Sequence, residues 1–155
     1  MKKEPLIIAS DHAGFALKVE LKLFLSRKGF KVVDAGTYST DSCDYPDFVS
    51  YVGWGIMRRK FKRGILVCKS GIGSAIAANK FRGVRAALCY NALAARLSRE
   101  HNDSNVLVLG SVFVSVPLAK KITAVWLTTE FQGGRHIRRL NKIKKIEQEL
   151  QLRSR

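Results

Sequence analysis

Short runs of continuous apolar character alternate along the chain with stretches whose apolar residues recur at helical spacing. Leu6-Ile7-Ile8-Ala9 reads as a buried strand and runs into the polar turn Ser10-Asp11-His12-Ala13-Gly14. A helical pattern follows, with Phe15, Leu17, Val19, Leu21 and the run Leu23-Phe24-Leu25, and closes at Lys28-Gly29, where glycine is a good helix stop. Residues 31–34 form a second strand candidate. Beyond it Phe48, Val49, Val52 and Ile56 recur at helical spacing. Residues 64–68 predict a third strand, 72–80 a helix, 86–89 a fourth strand, 92–99 a helix and 105–110 a fifth strand. Pro117, suited to a first helical position, opens a helix to about 127. In the last stretch Ile137, Leu140, Ile143, Ile146 and Leu150 share one side, which reads as a core-facing stripe. Strands without polar alternation, separated by helices, are buried on both faces. The expected fold is therefore α/β: a doubly wound, Rossmann-like three-layer sandwich with a five-stranded parallel sheet. Ligands of such folds bind beyond the carboxyl ends of the strands.

Bulk properties narrow the function without choosing it. At 155 residues and 46% hydrophobic, the chain predicts a single domain over 1–155 with a real core, ending in a basic helix from about 135. No apolar run is long enough to cross a bilayer, and the charged start Met1-Lys2-Lys3-Glu4-Pro5 has no secretory apolar stretch behind it. Three cysteines cannot all pair, so a reducing cytoplasm is expected rather than a disulfide framework. The net charge of +16 would attract polyanions and small phosphorylated metabolites alike, although a merely solvated basic surface explains it equally well.

Chemistry concentrates where elements should end. His12, His101 and His136 all fall at predicted element ends, beside Asp11, Asn102 and Arg135. The sharpest segment is Cys68-Lys69-Ser70-Gly71-Ile72-Gly73-Ser74, which leaves a strand and opens a helix. Its glycines allow close approach and its N–H groups can hold a phosphate or an oxyanion. The spacing is neither that of the phosphate loop GxxxxGK[ST] nor GxGxxG. Lys69 and the helix start would favour a thiolate at Cys68, though a buried, inert cysteine ends many strands too. Cys89, inside an apolar run, is expected to be inert, and Cys43 is a loop thiol with no evident role.

Ordered motifs over nearly the whole chain resemble the type B ribose-5-phosphate isomerases, a group that includes the galactose-6-phosphate isomerase subunits. They are Ser10-Asp11-His12-Ala13-Gly14, Asp44-Tyr45-Pro46-Asp47, Gly64-Ile65-Leu66-Val67-Cys68, Gly71-Ile72-Gly73, Ile76-Ala77-Ala78-Asn79-Lys80, Gly83-Val84-Arg85-Ala86-Ala87, Arg99-Glu100-His101-Asn102-Asp103 and Gly133-Gly134-Arg135-His136. The resemblance implies an aldose–ketose isomerase that interconverts ribose 5-phosphate and ribulose 5-phosphate through an enediolate, without metal or organic cofactor. It implies that Cys68 is the proton-abstracting base, that His101 opens the sugar ring and that Ser70 assists. Backbone N–H groups over Ser70, Gly71, Ile72, Gly73 and Ser74 would stabilise the enediolate. Asp11, Asp44, Tyr45 and Asn102 match sugar contacts, and His12, Arg135 and Arg139 match phosphate ligands. It further implies homodimers, often paired into tetramers, with Cys68 completed by His101 and Asn102 of the neighbour.

Two positions depart from the family pattern. Lys69 stands where glycine usually follows the cysteine, and Val112 where an arginine usually follows Gly110-Ser111. Lys69 is expected to supply the positive charge that Val112 does not. Two other functions compete: isomerisation of a six-carbon sugar phosphate such as allose or galactose 6-phosphate, and a weakly active member with a nucleic-acid-binding surface. No nucleic-acid motif supports the last.

Overall fold

The computed structural model describes residues 4–153, so the residues at both ends of the chain, Met1-Lys2-Lys3 among them, lie outside the description. Five strands and six helices alternate among the described residues: β1 Leu6–Ser10, α1 Phe15–Arg27, β2 Val32–Asp34, α2 Tyr45–Met57, β3 Arg63–Cys68, α3 Ile72–Ala78, β4 Ala86–Leu88, α4 Ala92–Asn102, β5 Val106–Gly110, α5 Val116–Thr128 and α6 Arg135–Arg153. All strand pairs are parallel, in the order β2-β1-β3-β5-β4. The expected α/β sandwich is the observed one.

The strands lack polar alternation because both faces of the sheet are covered. In β1, Leu6 and Ile8 pack with α1, α4 and α5, whereas Ile7 and Ala9 pack with α2 and α3. Ile65 and Val67 of β3 turn to the first face and Leu66 to the second; Leu107 and Leu109 of β5 oppose Val106 and Val108 in the same way. Successive side chains of a strand point to opposite faces, so each strand feeds two cores. Fully buried Leu21, Leu25, Ile122 and Trp126 complete the first core, each side chain stabilising by about 1.5–3 kcal/mol.

One sequence expectation fails. The stripe on α6 does not face a core: Ile137, Ile143, Ile146 and Leu150 are 44–62% exposed, and His136 is the buried residue of that helix. Both faces of the sheet are already covered by α1 to α5, so no layer among the described residues is left for the stripe. α6 is instead held at its flank, where the Glu147 carboxylate accepts from the Gly83 N–H at 3.0 Å and Gln151 accepts from Arg82 at 2.8 Å.

Candidate active site

The chain leaves β1 toward β2 on one side and returns from β2 to β3 on the other, so the loops after β1 and β3 part above the sheet. This is the switch point at which open α/β sheets bind ligands. Cys68 ends β3 there, 4% exposed, and its Sγ accepts the N–H of Gly71 at 3.1 Å. Gly71 caps α3 with φ at +80°, a backbone conformation that side-chain-bearing residues rarely take. The next N–H, of Ile72, goes to the Ser70 hydroxyl oxygen at 3.2 Å, leaving the hydroxyl hydrogen free to donate. The N–H groups of Gly73 and Ser74, in the first turn of α3, keep no helical acceptor. Of the five expected loop donors, two are therefore spent inside the loop.

The walls come from β1 and α2. Asp11 is buried and its Oδ1 accepts the Gly14 N–H at 2.9 Å, closing the turn into α1. Nδ1 of His12 accepts the backbone N–H of Cys43 at 3.2 Å. In a neutral His12 the ring proton therefore sits on Nε2, which makes that nitrogen a donor. Cys43, a loop thiol without evident role in the sequence, is thus the residue that joins the loop after β2 to His12, with its sulfur 3.8 Å from Nδ1. Asp44 is the exposed N-cap of α2 and Tyr45 its first residue. The Tyr45 ring lies against Gly73, where a Cβ would fall 2.5 Å from Cζ.

The loop after β2 rests on a buried lysine. Lys18 Nζ donates to Asp34 Oδ1 at 2.6 Å and to the Thr37 carbonyl, with Phe15 and Tyr38 rings beside it. Burial lowers Lys18 from its ordinary value; burial would raise Asp34, but the Lys18 and Lys22 ammonium groups outweigh it and hold the carboxyl low. Sequence reading missed Lys18, although it sits at helical spacing with Leu21 and Leu25 on the buried face of α1.

The remaining expected residues do not join this cluster. His101 and Asn102 end α4 at the opposite edge of the sheet, where the Asn105 carbonyl accepts from Gly64 at the start of β3. From Gly64 to Cys68 the strand rises about 13 Å. Arg135 and Arg139 share a face of α6 one turn apart, beside His136. The ring of His136 stacks on His101 with centroids 4.3 Å apart. Burial, and then the positive neighbours His101, Arg135 and Arg139, hold His136 below its ordinary value. His136 opens a helix in the sequence, but its stacking partner could not be read there. Among the described residues no group of three or more His, Cys, Asp or Glu side chains gathers as a metal site would.

The site thus has two halves on one chain: a cysteine with an N–H-lined loop at one edge of the sheet, and a histidine–arginine group at the other. The sequence pattern of the Ribose/Galactose Isomerase family matches residues 6–143. The chain belongs to that family. Ribose-5-phosphate isomerase B of Escherichia coli (strain K12) is 45% identical over 148 residues, which are 96% of this chain and 98% of the relative. The structure of Clostridium thermocellum ribose-5-phosphate isomerase B superposes with a TM-score of 0.93 at 47% identity, over 94% of this chain and 99% of that one. Ribose-5-phosphate isomerase B from Mycoplasma genitalium, solved with bound ribulose-5-phosphate, gives 0.90 at 42% identity over 94% and 97% of the two chains. As a ribose/galactose isomerase family member the chain is an isomerase. Its described helices include none long and apolar enough to cross a membrane.

Proposed function

We propose that this family member interconverts ribose 5-phosphate and ribulose 5-phosphate, with Cys68 as the base. The observation that carries the reading is Cys68 Sγ at the head of a loop whose Gly71 N–H already points at the sulfur and whose Gly73 and Ser74 N–H groups are left for an oxygen. In the open-chain aldose the thiolate takes the proton from C2, electrons move into the C1 carbonyl, and the oxygen that gains charge lies against those two N–H groups. Fixed donors of this kind contribute about 3 kcal/mol each, because they need no reorganisation as charge develops. The proton on the C2 oxygen passes to the C1 oxygen, and the same sulfur returns its proton to C1, leaving the carbonyl at C2. Ser70, with its hydroxyl hydrogen unengaged, moves the proton at the sugar oxygen during ring opening. Tyr45, Asp44 and Asp11 wall the sugar, and His12 donates to the phosphate from Nε2.

We further propose that the site is completed by a second copy of the chain. His101, the ring-opening acid, Asn102, and the phosphate-binding Arg135 and Arg139 cannot reach the same chain's Cys68 across the sheet, but a partner's set can. The exposed apolar residues support this arrangement. Ile72, Ile76, Val112 and Phe113, all 49–59% exposed, surround the Cys68 loop, and the bare stripe of α6 lies next to Arg135 and Arg139. A homodimer, alone or paired into a tetramer, would cover both. The single domain and a cytoplasmic location belong to the same reading.

Turnover of ribose 5-phosphate by the purified chain tests it. Cys68→Ala should lose about a hundredfold or more in kcat, and solvent tritium should enter the product of the parent chain. Retained turnover in Cys68→Ala would overturn the cysteine mechanism. A higher kcat/KM for allose 6-phosphate than for ribose 5-phosphate would overturn the substrate.

A further inference from the structure

We propose that the groove between α6 and the amino-terminal edge of the sheet is a binding site for a compact polyphosphate anion. It lies at the edge opposite Cys68 and rests on the isomerase reading only for the ribose 5-phosphate turnover used as its control. The groove encloses about 720 Å³, within the range of small-ligand sites. Its walls are α6, the turn that closes α2 and the loop leading into β4. Among the described residues, seven Lys or Arg side chains line it against two carboxylates, Asp103 and Glu147.

Both carboxylates are already engaged. Asp103 takes Arg99 Nη1 at 2.8 Å on one oxygen and Arg85 Nη2 at 2.9 Å on the other. Glu147 accepts from the Gly83 N–H. Arg63 turns to the Leu127 carbonyl at 2.6 Å, and Lys62 pairs with Glu4 outside the groove. Among the described residues, three exposed cations have no carboxylate partner: Arg59, Arg82, whose Nη1 meets the neutral Gln151 amide, and Lys144. Crowding of like charge here is also felt by Arg63, which burial and then Arg99 hold below its ordinary value.

Arg59 occupies a position the backbone would rather give to glycine. It follows the C-cap of α2 at φ +57°, while the N–H groups of Lys60 and Phe61 reach back to the Gly55 carbonyl. A side chain at such a helix end costs about 1 kcal/mol relative to glycine. The cost is offset if the cation it places over the groove has an anion to meet.

The free cations come from three separate segments and converge on one space, so they match clustered phosphate groups rather than an extended backbone. The aromatic side chain in the lining, Phe61, is 7% exposed, so a strand of bases has no platform to stack on. Guanidinium forks pair bidentately with phosphate oxygens, and several cations call for more than one phosphate.

Calorimetric titration of the full chain with tripolyphosphate, in saturating ribose 5-phosphate at about 50 mM salt, tests the site. We expect saturable binding of one anion per chain. Arg59→Gly combined with Lys144→Ala should weaken it about tenfold or more, with no fall in Tm and with kcat/KM for ribose 5-phosphate within about twofold. Arg82→Gln, which keeps a donor for Gln151, should weaken binding as well and covers the case of an unstable double variant. The proposal is overturned by absence of saturable binding, by equal affinity in the variants, or by displacement of tripolyphosphate by ribose 5-phosphate. Tighter binding of an RNA dodecamer that the same variants abolish would overturn it too, in favour of a nucleic-acid surface.

Discussion

The imidazole of His136 lies flat on that of His101, centroids 4.3 Å apart and planes 14° from parallel. His136 is buried, and burial and then the positive neighbours His101, Arg135 and Arg139 hold it below its ordinary value. If His101 opens the sugar ring as proposed, His136 acts as a positioning residue that fixes the plane of the ring it covers.

His136→Asn should lower kcat about tenfold with a smaller change in KM, and should move the acid limb of the kcat–pH profile. Stability carries a second signature. Above its unfolded value of about 6.5 the residue is neutral in both states, and its contribution is whole. As pH falls below that, the unfolded chain takes up a proton that the folded chain refuses, and stability is lost down to the lowered folded value. Urea unfolding at several pH values between 7.5 and 5 should show this loss in the parent and a flatter dependence in His136→Asn.

Cys89 gives the opposite sign at alkaline pH. Burial pushes its thiol up to about 11 from 9.0. Below 9 both states hold the proton; between 9 and 11 only the unfolded chain releases it, so stability falls as pH rises through that window. Cys89→Ala should remove this fall. At pH 8 only about one thiol in a thousand would be ionised, so alkylation of the native chain should leave Cys89 unmodified while substrate protects Cys68. Modification of native Cys89 would contradict its burial.

Tyr45 and Gly73 form a steric pair across α2 and α3. A methyl group at Gly73 meets the Tyr45 ring at 2.5–3.0 Å, closer than real contacts allow. Gly73→Ala should therefore push the half-exposed Tyr45 ring aside and lower kcat/KM, the displacement offsetting the roughly 0.5–1 kcal/mol that alanine gains over glycine in a helix. In a Tyr45→Ala background the same change should cost less stability. Equal costs in both backgrounds, from denaturant midpoints, would show that the ring is not the obstacle.

The N–H of Val112 donates to the Lys69 carbonyl at 3.1 Å, so the two positions that depart from the family pattern meet on the backbone. If the Lys69 charge serves the phosphate or the oxyanion, Lys69→Gly should raise KM for ribose 5-phosphate about tenfold, the cost of one charge-assisted hydrogen bond. Val112→Arg should restore part of it. An unchanged KM in Lys69→Gly would remove Lys69 from the site.

Much of this was legible in the sequence, for physical reasons. The uninterrupted apolar strands announced a sheet covered on both faces, and Ile7 and Ile8 duly feed different cores. The loop from Cys68 to Ser74 was legible because a strand end, two glycines and a polar residue fall within a few positions. Illegible were relations that depend on distant segments: Cys43 reaching His12, Lys18 carrying the Thr37 loop, and His136 covering His101. The α6 stripe was misread because periodicity reports an apolar face but not whose surface covers it.

The proposed site is built from two copies, with Cys68 from one and His101 from the other. Cys68→Ala and His101→Asn should each be inactive alone. Unfolded together in equal amounts and refolded, they should form mixed dimers in which one of two sites has both native residues, recovering about a quarter of parental ribose 5-phosphate turnover. A mixture as inactive as its separate components, with mixed dimers demonstrated by native mass spectrometry, would contradict the shared site.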